Sequence, residues 1–157
     1  MPDTTFVTIP AAAGLNADSA LDWLIDVGVF EQASSHTNWD TLSINASSLL
    51  TCAKTSSGAQ NDEINFDLIL ARGTWDIELL FTKNTSYGIY SVQINSVEKG
   101  TIDGYDASNT FNNLSTISGV DIPQTAKYQL KLKMATKNAS SSNYTGAVNH
   151  IQLRRTD

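Results

Sequence analysis

The stretch EINFDLILARGTWDIELLFT, Glu63 to Thr82, decides the fold of this chain. Apolar residues occupy every second position in each half, on either side of Ala71-Arg72-Gly73. This period of two is typical of β-strands with one buried face. Because Gly73 tolerates positive φ, the short connection predicts a hairpin whose two strands pair antiparallel. The side chains expected to point inward are Ile64, Phe66, Leu68, Leu70, Trp75, Ile77, Leu79 and Phe81.

The alternation continues through the second half of the chain. Strands are predicted for GIYSVQIN, VEKGTI, LSTISGVDI, YQLKLKM and AVNHIQLRR, with a turn at Asn95-Ser96 and a bulge at Gly119. WDTLSI and SLLTCAK predict earlier strands, which makes about seven or eight of similar length. Short alternating strands without helical runs between them indicate an all-β fold, an antiparallel β-sandwich of jelly-roll type.

The N-terminal part has no such periodicity. ADSALDWLIDVGVFEQA, Ala17 to Ala33, predicts either a short helix from about Ser19 to Asp26 or a strand at LIDVGVF. We therefore expect residues 1–35 to form an N-terminal arm or docking segment, with or without a short helix, and residues 36–157 to form the β-sandwich domain.

Composition limits the classes of partner. The 157 residues are 41% hydrophobic, enough for the core of one domain, and the net charge is −6. Such an acidic chain is a poor ligand for nucleic acid. Residues 1–126 hold 15 acidic and 4 basic residues, whereas residues 127–157 hold 1 and 6. We expect the basic and acidic strands to face each other across a sheet or a subunit boundary; the alternative is a basic patch for an anionic glycan.

Cysteine usage and hydropathy indicate the cellular compartment in which the chain is made. Cys52 is the only cysteine, so neither an intrachain disulfide nor a thiolate metal site is expected. No apolar run is long enough for a membrane helix, and the N-terminus lacks the pattern of a signal peptide. These features predict synthesis in a reducing cytoplasm, no membrane partner and no cofactor.

The sequence contains no clear set of catalytic residues. The histidines are His36, in a polar loop, and His150, inside the last predicted strand. Asp76 and Glu78 lie two residues apart on an outward strand face, a spacing that solvated strand positions share. The chain is therefore predicted not to be an enzyme.

Two binding sites remain as candidates. The run TIDGYDASNT contains oxygen ligands that could hold calcium, although ordinary turns use the same residues: Asp103, Asp106 and Asn109. Sugars are bound by aromatic rings flanked by amide side chains. By this chemistry, the glycan-binding residues predicted in the loops are Tyr105, Asn138, Asn143 and Tyr144.

The stretch GTWDIELLFTKNTSYGIYSVQINSVEKGTIDGY, followed by YQLKLKMATKNASSSNYTGAVNHIQLRRT, resembles small β-sandwich proteins of tailed-bacteriophage virions. The order of its motifs is also similar to carbohydrate-binding modules of the galactose-binding type. The resemblance covers about Gly73 to Thr156 and consists of strand and turn motifs. Where such modules often have Asp-Gly after the third strand, this chain has Asn95-Ser96, and no paired aromatic platform is evident.

The resemblance implies a non-enzymatic structural protein of the virion surface, most simply a capsid decoration, head-fibre or tail-fibre protein. It also implies a homotrimer that contacts capsid or other virion proteins. The alternative is a carbohydrate-binding module that attaches to cell-surface glycan.

Overall fold

The structure is a computed structural model that describes residues 22–26, 33–42, 52–55 and 58–157. These residues form eleven strands and no helix, so the described part contains no helix that could cross a membrane. The strands are β1 (Asp22–Asp26), β2 (Ser35–Thr37), β3 (Trp39–Leu42), β4 (Cys52–Thr55), β5 (Glu63–Leu70), β6 (Gly73–Lys83), β7 (Ile89–Ile94), β8 (Val97–Asp103), β9 (Thr110–Ile122), β10 (Ala126–Thr136) and β11 (Ala147–Arg155).

The strands form two antiparallel sheets. One has the order β3-β4-β11-β6-β9, with β1 also paired to β11, and the other has the order β2-β5-β10-β7-β8. Only β3–β4 and β7–β8 are sequential strands that pair in the described part of the chain; the other connections between β2 and β11 cross between the sheets. The predicted antiparallel β-sandwich of jelly-roll type is therefore confirmed.

The core lies between the sheets and consists of the side chains that the alternation places inward. Every inward residue predicted from Glu63 to Thr82 is buried, from Ile64 to Phe81. Burying a large aliphatic or aromatic side chain contributes about 1.5–3 kcal/mol relative to leaving it in water. The same holds in the later strands for Tyr90, Val92, Ile94, Tyr128, Leu130, Leu132, Met134, Ile151 and Leu153.

The predicted hairpin between β5 and β6 is wrong. Strand β5 pairs with β2 and β10, whereas β6 pairs with β9 and β11 in the opposite sheet. The connection at residues 71–72 carries the chain from one layer to the other, and the Trp75 Nε1–H donates to the Ala71 carbonyl at 3.0 Å. Gly73, at φ 146°, adopts a conformation that favours glycine. Alternation shows which face of a strand is buried but not which strand lies beside it.

The predicted turn and bulge are confirmed. Asn95 and Ser96 both have positive φ, 50° and 64°, as a two-residue hairpin turn between β7 and β8 requires. Gly119, at φ 73°, lies where the β6–β9 register shifts, and its N–H donates to the Asp76 carboxylate at 3.1 Å.

In the N-terminal part, the structure describes a strand at Asp22–Asp26. Asp22–Asp26 pairs antiparallel with β11, so a helix over these residues is wrong and the strand alternative holds for Leu24 to Asp26. Residues 1–21 and 27–32 lie outside the described residues. The docking role of residues 1–35 stays a prediction.

Acidic and basic strands do face each other across the sheets. Lys131 Nζ lies 2.9 Å from Glu63 Oε2, and Lys127 Nζ lies 2.9 Å from Asp67 Oδ2. On the other sheet, Arg154 lies 3.2 Å from Glu78. The basic residues of the C-terminal strands therefore form ion pairs with acidic residues of strands earlier in the chain.

The Lys131–Glu63 pair shifts the titration of its carboxyl group. Partial burial acts to raise the pKa of Glu63, but hydrogen bonds from Lys131 and Asn65 and the charge of Lys131 together lower it below its ordinary value of 4.5. A carboxyl group with a lowered folded-state pKa contributes stability above its unfolded pKa. That stability is lost as the pH falls through the folded-state pKa.

Replacing Lys131 with Met should therefore weaken the fold at neutral pH by about 1 kcal/mol. Below the ordinary pKa of Glu63, the free energy of unfolding of the variant should fall less steeply with decreasing pH than that of the wild type. The reason is that the Glu63 carboxyl group has lost its main stabilising partner. Urea unfolding at neutral and acidic pH measures both effects. Lys99→Met removes a charge from the same sheet and is the control; an unchanged acid dependence in Lys131→Met would contradict the assignment.

Candidate functional site

The strand directions bring four described connections to one end of the sandwich. Because all pairs are antiparallel, β6 and β10 end there, and β7 and β11 begin there. We call this region the loop end, and it consists of residues 58–62, 84–88, 104–109 and 137–146.

Residues 84–88 lie between two of the other connections. On one side the Asn84 N–H donates to the Gly104 carbonyl at 3.1 Å, and Asn84 forms a bridge with Tyr105. On the other side the Gly88 N–H donates to the Thr145 carbonyl at 2.8 Å, and Tyr87 forms a bridge with Thr145. Tyr105 and Tyr144 therefore flank this segment on opposite sides.

The loop KNASSSNYTG, Lys137 to Gly146, is held by bonds to its neighbours. The Ser142 N–H donates to the Thr85 carbonyl at 3.0 Å, and the Thr145 hydroxyl donates to the Ser86 carbonyl at 2.7 Å. At its end, the Gly146 N–H donates to the Thr55 hydroxyl at 3.0 Å. These bonds give ten polar residues one arrangement against the sandwich.

The partly exposed aromatic side chains gather at the loop end. Seven aromatic side chains in the described part of the chain are buried: Trp39, Phe66, Trp75, Phe81, Tyr87, Tyr90 and Tyr128. Three others are partly exposed: Tyr105, Phe111 and Tyr144. Two of them lie in the connections, and Phe111 is the second residue of β9, which begins there. Among the described side chains, the outer sheet faces therefore carry no aromatic ring apart from Phe111.

The four predicted glycan-binding residues lie on connections that meet. Asp103 joins two of them, because its carboxylate accepts the Tyr105 N–H at 2.9 Å and the Asn138 side-chain amide at 2.8 Å. Asn143 and Tyr144 are joined by a bond from the Tyr144 N–H to the Asn143 side chain at 2.9 Å. Their function as binding residues stays a prediction.

One residue of this region was not predicted. The Lys137 ammonium lies over the Tyr144 ring, 5.3 Å from its centroid, in the geometry of a cation–π contact. Lys137 forms no ion pair with a described carboxylate. The signal in the sequence was a lysine at the first position of a polar loop, which a solvent-exposed connector shares.

The predicted calcium ligands are engaged in bonds within the loop end. Both carboxylate oxygens of Asp103 accept hydrogen bonds, as described above. Asp106 accepts the Ser108 N–H at 3.1 Å, and Asn109 bonds to the side-chain amide of Asn84. The residues that the structure describes contain no group of three or more His, Cys, Asp or Glu side chains that could hold a metal ion. Calcium binding by Asp103, Asp106 and Asn109 stays a prediction.

The carboxylates considered for catalysis have structural contacts. Asp76 accepts the Gly119 N–H, and Glu78 is ion-paired with Arg154. His150 lies half-buried in β11, opposite Asp26 of β1.

No protein family and no curated protein sequence matches this chain. Several solved structures are similar to it in fold. A xanthan lyase from Paenibacillus is similar over 79% of this chain, with a TM-score of 0.66 and 24% identity. The match covers 12% of the length of the lyase. The CBM36-1 domain of a multidomain xylanase from the hindgut metagenome of Trinervitermes trinervoides is similar over 87% of this chain and 98% of its own length, with a TM-score of 0.63 and 17% identity.

A third structure, a CBM36 carbohydrate-binding module in complex with calcium and xylotriose, is similar over 83% of this chain and 98% of its own length, with a TM-score of 0.56 and 13% identity. The likeness is to the fold. In fold, the chain is similar to carbohydrate-binding modules, as the resemblance in the sequence predicted. The comparisons give no support to a phage virion role, to a homotrimer or to virion partners.

Replacing Thr145 with Val should loosen the loop end. The variant keeps the shape of the side chain but loses its hydroxyl bonds to Ser86, which should lower the free energy of unfolding by about 1–2 kcal/mol. Urea unfolding measures the stability, and hydrogen exchange of the Gly88 amide reports the local opening. Thr156→Val, which also removes a hydroxyl bond, is the control at the other end of the sandwich; equal exchange at Gly88 in both variants would contradict the assigned docking.

Proposed function

We propose that this chain is a non-catalytic carbohydrate-binding module whose loop end binds a glycan. The observation that carries the proposal is the position of Tyr105, Phe111 and Tyr144, the aromatic residues that are partly exposed among the described side chains, at the end where the long polar connections meet. The fold-level likeness to carbohydrate-binding modules supports it.

The chemistry of the loop end suits a sugar. A pyranose ring presents C–H groups that pack on an aromatic face and hydroxyl groups that exchange hydrogen bonds with amides and hydroxyls. The 84–88 segment between Tyr105 and Tyr144 supplies Asn84, Thr85 and Ser86. The connections are already bonded to one another, so less ordering would be required when a ligand binds.

The position of Tyr144 makes it the first residue to test. Its ring packs partly on the core and stays partly exposed, and Asn143 lies beside it. Tyr105 is on the far side of the 84–88 segment, which would allow a ligand longer than one sugar to contact both rings.

Glycan-array screening of the whole chain, followed by calorimetry with the best glycan, tests the proposal. Tyr144→Ala should weaken binding about tenfold, because an aromatic contact contributes about 0.5–1.5 kcal/mol beyond its buried area. Gln129→Ala, on the outer face of β10, is the control and should bind as the wild type does. Titrations with calcium and with a chelator separate metal-dependent from metal-independent binding. If the array gives no glycan, or if Tyr144→Ala binds as the control does, the proposed site is wrong.

Lys137 should influence which glycan is bound. Its ammonium covers the Tyr144 ring face, so a neutral sugar that stacks on that face must displace it, against a cation–π contact of about 0.5–1 kcal/mol. Lys137→Gln should therefore raise affinity for a neutral glycan about two- to fivefold. It should lower affinity for a glycan with a carboxylate, which the ammonium would otherwise attract.

Paired titrations of one neutral and one uronate-containing oligosaccharide measure this difference. Lys127→Gln removes the same charge at the opposite end of β10 and is the matched control. Unchanged relative affinity for the two glycans in Lys137→Gln would show that Lys137 only packs on Tyr144.

A further inference from the structure

We propose that strand β9 is a self-association edge, through which two copies of this chain pair antiparallel and join their six-stranded sheets. The proposal concerns the edge of the sandwich and does not depend on glycan binding at the loop end.

Strand β9 is a long edge. It spans thirteen residues, Thr110–Ile122, and among the described residues it pairs with β6 alone. Along its free side every second residue directs a backbone N–H and C=O away from β6, where they can pair with another strand.

Over most of its length this edge has neither the charged side chains nor the short length that protect the other described edges, and its two bulges lie near its ends. Folded proteins discourage edge pairing with charged side chains, with very short strands and with bulges. Strand β2 has three residues, β3 has four and includes Asp40, and β8 carries Glu98, Lys99 and Asp103. The run TFNNLSTISGV, Thr110 to Val120, contains no charged residue.

Two register shifts bracket the part of β9 that is free to pair. One lies beside Asn112, at φ 56°, and the other beside Gly119, at φ 73°. The regular stretch between them is NLSTIS, Asn113 to Ser118. Its outer face carries Leu114, a residue that is 63% exposed. Its inner face carries Ile117, which packs toward Gly100 of β8 and helps to close the sandwich on this side.

A second copy is the occupant that these features favour. Antiparallel strands are self-complementary about a two-fold axis, so the same six residues supply both sides of the pairing. The axis keeps the outer faces together, and we place it at Leu114 or Ser115, where the two Leu114 side chains lie on one face, opposite or diagonal to each other. No like charges meet in the stretch, although each chain carries a net charge of −6. One pairing removes both free edges at once and gives a closed dimer.

Light scattering coupled to size-exclusion chromatography tests the proposal on the full chain. The wild type should show twice the 17.0 kDa chain mass at high concentration and dissociate on dilution. Leu114→Lys should be monomeric over the same range, because it places two like charges together in the paired strands. Val97→Lys and Ile69→Lys change equally exposed apolar residues on the other sheet and should leave the dimer intact.

A cross-link locates the interface. Leu114→Cys in a Cys52→Ser background should give a covalent dimer with a short bismaleimide, whereas Ile69→Cys in the same background should not. Circular dichroism and urea unfolding check that each variant is folded. A wild-type monomer, a trimer, a dimer that survives Leu114→Lys, or equal cross-linking at the two positions would overturn the proposal.

Discussion

The loop end depends on the buried ring of Tyr90. This ring lies between the sheets, packs edge to face on Phe81 at 5.9 Å, and bonds through its hydroxyl to the backbone N–H of Ala147 at 2.8 Å. A Cβ atom at Gly146 would lie 2.6 Å from the Tyr90 hydroxyl, and one at Gly104 would lie 2.7 Å from the Gly88 carbonyl oxygen and 3.2 Å from the Tyr90 ring. The connections at 104–109 and 137–146 can close over the ring because both positions are glycine.

That closure explains why a polar loop can present a defined surface. The 137–146 loop is anchored at its end by the Tyr90 hydroxyl and Thr55, and along its length by Thr85 and Ser86. A ten-residue polar connection without such anchors would sample many conformations, and a ligand would have to order it at a cost of about 1–2 kcal/mol for each residue fixed. Tyr90, which is buried in the core, thus helps to hold the 137–146 loop in one conformation before a ligand binds.

The strand faces could be predicted from the sequence because burial between two layers imposes a period of two on every strand. That period identified the inward residues of β5, β6, β7, β10 and β11, and glycine or asparagine identified the turn at Asn95-Ser96 and the bulge at Gly119. The period could not identify which strands pair with one another, because a strand with one buried face has the same alternation in either sheet. The wrong hairpin between β5 and β6 has this cause. For Asp22–Asp26, helix and strand were both compatible with a short apolar run.

The candidate site was predictable only in part for a related reason. Tyr144 and Asn143 could be placed in a loop by the strands that flank them, but the residues that surround them depend on which connections share one end of the sandwich. Lys137 over Tyr144, and Asp103 between Tyr105 and Asn138, are contacts of that kind. Similarity of fold at 13–24% identity does not supply them either, because it describes the sheets rather than the loop side chains.

The two proposed surfaces together constrain how this chain could act. Strand β9 begins at the loop end and runs toward the opposite end, and its partner in an antiparallel dimer runs the other way. The two loop ends would therefore face opposite directions along the joined sheet. Two sites arranged in this way cannot both engage a single flat surface, so pairing would not strengthen attachment to it by avidity. They would instead bridge two glycan chains, and such bridging requires both a free loop end and an intact β9 edge.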